Sequence, residues 1–165
     1  GGVTSLPYLT GERTPHADAN ARGVFFGMHG GIERADMTRA VIEGVSFALR
    51  DSLELMKELG VNPEEAVAVG GGASSAFWLQ VLSDVTNLPL RTVSPPEGAP
   101  LGAAMLAAVG VGTFTDAAGV GVAWLTDLES VTPNTVFRDT YDDAYGRYRE
   151  LYAALKKMFA TTANS

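Results

Sequence analysis

The stretch Val67-Ala68-Val69-Gly70-Gly71-Gly72-Ala73-Ser74-Ser75-Ala76-Phe77-Trp78 decides how the rest of the chain is read. The run from Ala66 to Val69 is apolar and of strand length, as expected of a strand buried on both faces. Three glycines follow; they permit positive φ and let a ligand approach bare backbone, at a conformational-entropy cost. Ser74 or Ser75 stands where a helix needs its N-cap, and Trp78, Val81, Leu82 and Val85 then fall on one helical face. Strand, glycine turn and helix N-terminus together make a corner able to accept an anion or a nucleotide. The same pieces also make a tight strand-to-helix turn with no ligand, and the stretch alone leaves both readings open.

The spelling excludes two common phosphate binders. No G-x-x-x-x-G-K-[ST] occurs anywhere in the chain. A dinucleotide fingerprint begun at Gly70 and Gly72 needs its third glycine where Ser75 stands. A nucleotide bound here is held in another geometry.

The length of 165 residues fits one domain, and a hydrophobic fraction of 46% is ordinary for a globular core. A net charge of −7 argues against a nucleic-acid partner, which selects a basic face. Cysteine is absent, which leaves neither a disulfide framework nor a thiolate metal site. His16 and His29 are the only histidines, and neither stands at metal-ligand spacing from another ligand, so no metal site is expected. The apolar segment Pro100–Gly112 is too short and glycine-rich to span a membrane, and no signal peptide opens the chain. A cytoplasmic domain with no membrane partner is the expectation. Gly1-Gly2-Val3-Thr4 reads as mid-chain sequence, as of a piece excised from something larger.

Around the glycine turn the elements alternate. Leu6 to Leu9 is a short extended segment, Thr10 to His16 a loop by its turn residues, and Gly23 to Met28 an apolar run between glycines. A long helix follows, capped by Asp36, with Met37, Val41, Val45, Ala48, Ser52, Leu55 and Leu59 as its stripe and Gly60 as its stop. Gly44 in mid-helix suggests close approach by another element, and Glu43 beside it reads as a solvated or salt-bridged carboxylate. Leu88 to Val93 reads as a second strand, Ser94 to Pro100 as a rigid loop, and Leu101 to Val109 as a helix with a small-residue stripe at Ala99, Ala103 and Ala107. Strand and helix in alternation predict parallel pairing in an α/β layer. Gly110 to Asn134 looks least ordered, with Gly119 to Leu125 as a short strand or loop. The chain closes with an amphipathic helix from Asp139 to about Phe159, its stripe formed by Tyr141, Tyr145, Tyr148, Leu151, Tyr152, Leu155 and Phe159, and Thr161 to Ser165 is expected to fray.

Four segments, taken in order and spacing, resemble the FGGY carbohydrate kinases. Gly23-Val24-Phe25-Phe26-Gly27-Met28, followed after seven residues by Asp36 to Glu43, resembles the family's second signature. Gly70 to Gln80 resembles its adenosine-binding turn and following helix, and Glu97 to Ala104 the next loop and helix. Leu6 to Pro15 is close to the branch that acts on D-xylulose. The likeness covers about 6–112, with a weaker match in the closing helix at 137–159.

The resemblance implies an α/β fold of the actin-like, ribonuclease-H-like ATPase class, with residues 1–165 forming one domain, the C-terminal nucleotide-side lobe of a sugar kinase. By position it assigns Gly70, Gly71, Gly72, Ala73 and Ser74 to the nucleotide, with Ser75 and Ala76 at the helix start. Some sugar kinases carry asparagine at the position of Ala76. It implies ATP with Mg²⁺ as cofactors, a sugar such as D-xylulose as substrate, and the missing N-terminal lobe as partner, with a homodimer as a further partnership to test. It places the catalytic aspartate upstream of this chain: Asp18, Asp36 and Glu97 are acidic, but nothing around them marks a base, and the chain alone is expected to be inactive. The alternatives are a kinase of ribulose, gluconate or glycerol, a non-catalytic nucleotide-binding protein on the same fold, and an α/β interaction domain with no ligand.

Overall fold

A computed structural model describes residues 1–96 and 98–162. Glu97 and the tail residues 163–165 lie outside the described residues, and with them one acidic candidate and the end of the expected frayed tail. The chain divides into two compact units: Gly1–Asn62 with Asp84–Asn87 and Asn134–Ser165, and Pro63–Ser83 with Leu88–Pro133.

In the first unit, strand β1 (Thr4–Leu6) pairs antiparallel with β2 (Val24–Phe26), Ser5 opposite Phe25. Two long helices cover β1: α1 (Arg34–Glu58) and α5 (Arg138–Thr162). The tyrosine stripe of α5 forms the core as expected, with Tyr141, Tyr145, Tyr148, Tyr152 and Phe159 all buried. Each buried phenol needs a polar partner. Tyr148 bonds the hydroxyl of Tyr8, Tyr145 donates to Asp51 Oδ1 at 2.5 Å, Tyr152 donates to Asp18, and Arg39 donates to Tyr141. His16 stacks on Tyr152, ring centroids 3.6 Å apart. The loop from Leu9 to Ala21 is thus pinned to α5. Glu12 within it is spent on the His16 backbone N–H, and the backbones of Glu12 and Asp18 bond each other.

Two expectations about α1 change. Its N-cap is Glu33, not Asp36; Asp36 sits at the third helical position and accepts the Glu33 N–H, completing a capping box. That bond, with the amine of Gly1 nearby, holds its carboxyl below the usual range. The buried face is also not the apolar stripe. It consists of Ala40, Gly44, Ser46, Phe47, Arg50 and Asp51, whereas Leu59 of the expected stripe is 76% exposed. The reason is partner chemistry: the tyrosines of α5 recruit Asp51 and Arg39, and β1 requires a residue without a side chain. A Cβ on Gly44 would lie 2.5 Å from the Ser5 carbonyl oxygen. Glu43 is salt-bridged, as expected, to Arg39 at 2.6 Å.

In the second unit, β3 (Ala66–Ala68), β4 (Leu90–Ser94) and β5 (Thr126–Val131) form a sheet in that order, β3 parallel to β4 and β5 antiparallel to it. The parallel pair agrees with the reading of alternating elements. Strand β3 is an edge strand with Val67 and Val69 exposed, so the run Ala66–Val69 is not buried on both faces. Helix α2 (Ala76–Thr86) follows β3, with Leu79, Val81 and Val85 buried. Helix α3 (Gly98–Gly110) begins three residues before the expected Leu101, and its stripe of Ala99, Ala103 and Ala107 is exposed, Ala108 being the buried position.

The segment 110–134 is ordered. Ala117–Trp124 is helix α4, packed on α3, rather than a strand or loop. Asp116 caps it by accepting the Gly119 N–H at 2.8 Å, and this cap outweighs two glycines inside a short helix. Strand β5 was hidden because its residues Thr126-Asp127-Leu128-Glu129-Ser130 are largely exposed and carry no hydrophobic alternation. Its place is set by β4, through the ladder and the bond from Arg91 to Asp127 at 2.6 Å.

Candidate functional site

The site lies in the second unit, where the glycine turn meets the sheet. Gly70 has φ +83° and ψ −172°, a conformation open in practice only to glycine, and its N–H donates to the Pro96 carbonyl at 3.0 Å. That bond ties the turn to the loop after β4. Gly71–Ser74 then form one 3-10 turn, with the Ala73 N–H on the Gly70 carbonyl. Of the two candidate caps, Ser75 is used: its Oγ accepts the Trp78 N–H at 3.3 Å. Ser74 is exposed.

A cleft of about 480 Å³ opens beside this turn, lined by Ala68 of β3, Ala73 and Ser74 of the turn, Thr92 and Val93 of β4, Pro96, and Leu128 and Glu129 of β5. That volume is within the usual range for a small-molecule site. The walls are mostly apolar, with Ser74, Thr92 and Glu129 as polar points. Thr92 is fixed: its Oγ1 accepts the Glu129 N–H at 3.2 Å. Among the described residues of the lining, Glu129 is the one charged side chain, and no Lys or Arg contributes.

The expected site residues therefore separate. Ala73 and Ser74 line the cleft. Gly71 and Gly72 are exposed turn residues, and a Cβ on Gly71 would have no atom within 4 Å. Gly70 acts as the hinge into the turn, Ser75 is committed to capping, and Ala76 is exposed at the helix start. Thr92, Leu128 and Glu129 were missed. Thr92 lay in a segment read as a strand, but only the ladder to β5 turns it toward a site, and β5 itself carried no periodic signal. Of the acidic candidates in the first unit, Asp18 is held low by the Asn20 N–H and bonded by Tyr152, and Asp36 is bound into the capping box.

The family model described as "FGGY family of carbohydrate kinases, C-terminal domain" matches residues 1–111.

The chain belongs to the FGGY carbohydrate kinases.

A xylulose kinase of Staphylococcus epidermidis is 40% identical over 159 residues, covering 96% of this chain and 32% of that protein. The crystal structure of a xylulose kinase from Brucella ovis superposes with a TM-score of 0.83 at 38% identity, over 96% of this chain and 32% of that one. A gluconate kinase from Lactobacillus acidophilus superposes with a TM-score of 0.84 at 32% identity, over 98% of this chain and 32% of that one. The chain thus spans about a third of the length of the FGGY relatives it matches, and it has their actin-like, ribonuclease-H-like α/β fold. Among the described residues, no helix is long and apolar enough to cross a membrane.

Proposed function

We infer that these residues are the nucleotide-side lobe, one domain over 1–165, of an ATP-dependent sugar kinase that converts D-xylulose to D-xylulose 5-phosphate. The observation that carries the nucleotide assignment is the turn at Gly70–Ser74 beside a mostly apolar cleft whose described lining includes no Lys or Arg. Such a cleft suits the uncharged part of ATP, the base and ribose, rather than its phosphates. Gly71 and Gly72 present bare backbone to the nucleoside, Ala73 and Ser74 form the wall beneath it, Gly70 sets the path of the turn, and Ser75 and Ala76 start the helix behind. Glu129 stands as an acceptor for a ribose hydroxyl.

The sugar assignment rests on relatives named xylulose kinase and on the spelling of Leu6 to Pro15; the gluconate kinase neighbour supports gluconate as the second reading. In the reaction the sugar hydroxyl oxygen bonds to the γ-phosphorus, the bond to the ADP oxygen breaks, and a base takes the hydroxyl proton. Asp18 and Asp36 are engaged in structural hydrogen bonds; following the family resemblance, the base is assigned to polypeptide outside this chain, and the 165 residues alone are expected to be inactive. Among the described residues no group of three or more His, Cys, Asp or Glu side chains is arranged to hold a metal ion. The Mg²⁺ that accompanies ATP is therefore given no ligand and no step on this chain.

The test is a coupled ADP-release assay on the intact protein with D-xylulose, D-ribulose, gluconate and glycerol, and the 165-residue chain as control. Turnover with D-xylulose by the intact protein alone is expected. Turnover with another sugar moves the substrate within the family, and turnover by the 165-residue chain refutes the placement of the base.

A further inference from the structure

The ladder between β4 and β5 is interrupted at one point. Arg91 stands opposite Ser130 and Val93 opposite Asp127, so that between them the single residue Thr92 faces two, Leu128 and Glu129. This is a β-bulge, which takes one residue out of the ladder and re-aims the side chains beside it. In a regular strand Leu128 and Glu129 would point to opposite faces, yet both line the cleft beside the glycine turn. The N–H of Glu129 donates to a side chain, Thr92 Oγ1, at 3.2 Å. Ala68, the partner of Thr92 in the parallel ladder with β3, is small and lines the same cleft. Ala68, Thr92 and the bulged pair thus form one wall of it.

Hydrogen-bond accounting at Thr92 leaves one group over. A threonine hydroxyl has one proton to donate and lone pairs with which to accept. Taking the Glu129 N–H uses a lone pair only, and among the described residues nothing accepts the hydroxyl proton. Thr92 is 8% exposed and lines the cleft, so the free donor is shielded from bulk water beside the space that a ligand fills. A buried donor without an acceptor is costly, and a ligand that supplies the acceptor removes the cost. Glu129 carries the complementary group, a carboxylate that only accepts, on a backbone that Thr92 itself fixes. A donor beside an acceptor matches a ligand group that is both, a hydroxyl. A purine ring nitrogen that only accepts, or an exocyclic amine that only donates, satisfies one of the two.

We propose that this bulge makes the cleft selective for a ribonucleotide over a deoxyribonucleotide: Thr92 donates to a ribose hydroxyl, and Glu129 accepts from it. The proposal rests on the reading of the cleft as the nucleoside site. It adds Thr92, which touches the ribose and, through its bond to the Glu129 N–H, is also the positioning residue for the carboxylate. A nucleotide that lacks the hydroxyl leaves the Thr92 proton buried and unpaired, which is how a site built to bond a hydroxyl rejects the analogue without one.

The experiment is isothermal titration of the intact protein with ATP, 2′-deoxy-ATP and 3′-deoxy-ATP. The unsubstituted protein is expected to bind ATP at least about tenfold more tightly than one of the two analogues, the one that lacks the bonded hydroxyl. Thr92→Val keeps the shape and removes the hydroxyl, and it is expected to bring ATP to within about threefold of that analogue. Thr92→Ser, which keeps the hydroxyl, retains the preference. Glu129→Ala leaves Thr92 in place and is expected to narrow the preference in the same way, so it serves if Thr92→Val does not fold. A purely structural role for Thr92 weakens all three nucleotides together in Thr92→Val and leaves their ratio unchanged, and that result overturns the proposal. Equal affinity of the unsubstituted protein for all three nucleotides also overturns it, while the nucleotide reading of the cleft stands. No binding of any of the three refutes the nucleotide reading, and the proposal with it.

Discussion

Replacing Gly71 with valine tests whether the glycine turn serves a ligand or only the chain. A Cβ built on Gly71 meets no atom within 4 Å, and its φ lies outside the left-handed region, so the lobe has room for the side chain. The folded state therefore loses nothing by steric clash, and the reduced freedom of the unfolded chain contributes about 0.4–1 kcal/mol in favour of folding. The nucleotide is in a different position. If it lies against bare backbone at this turn, three added carbon atoms occupy its place. Displacing it from that contact weakens binding at least about tenfold, about 1.4 kcal/mol. Neighbouring glycines supply the control. Gly70 has φ +83°, so Gly70→Ala imposes backbone strain of about 1–2 kcal/mol with or without ligand. The assay is isothermal titration of the intact protein with ATP, alongside urea denaturation. Gly71→Val is expected to bind ATP at least tenfold more weakly with no loss of stability, and Gly70→Ala to lose stability. An unchanged ATP dissociation constant in Gly71→Val refutes the assignment and makes the turn purely structural.

Three further outcomes concern the scaffold of the first unit. Gly44→Ala adds a better helix former, about 1 kcal/mol in favour, but puts a carbon 2.5 Å from the Ser5 backbone oxygen, where overpacking costs about 1–3 kcal/mol; a net loss of about 1 kcal/mol is expected in urea denaturation, and equal or greater stability contradicts the close contact. Tyr148→Phe leaves the buried Tyr8 hydroxyl without its partner and should cost about 1–3 kcal/mol, with the double variant Tyr8→Phe/Tyr148→Phe recovering part of it; a double variant as unstable as the sum of the single ones shows that the two hydroxyls are not coupled. Asp51 is buried, with Oδ2 unpaired among the described residues, and burial pushes its carboxyl above the ordinary value. Because the folded state then holds a proton that the unfolded chain releases, stability from this group is complete below about pH 4 and is lost as pH rises through the folded value, by up to about 1.4 kcal/mol per pH unit. Asp51→Asn, which can still accept the Tyr145 hydroxyl, is expected to flatten that decline relative to the unsubstituted protein. Superimposable pH profiles show that Asp51 titrates alike in both states.

Several parts of the molecule were legible because one local rule decides them. The glycine run after an apolar strand could only be a turn, Gly44 in mid-helix pointed to a neighbour that came too close for a side chain, and the tyrosines at helical spacing declared the core face of α5. The order and spacing of four motifs identified the FGGY family without any tertiary information. What the linear pattern could not decide is which of two usable faces a helix turns inward and where an unpatterned segment finds its partner. On α1 the apolar stripe lost to a face carrying Gly44, Arg50 and Asp51, because close approach to β1 and hydrogen bonds for the buried tyrosines are properties of the partner elements. Strand β5 has exposed polar residues and exists because β4 offers it a ladder, and only through that pairing do Thr92, Leu128 and Glu129 come to stand around the turn. Local sequence determined the elements that satisfy themselves. Tertiary structure decided those whose hydrogen bonds and close contacts are completed by residues far away in the chain.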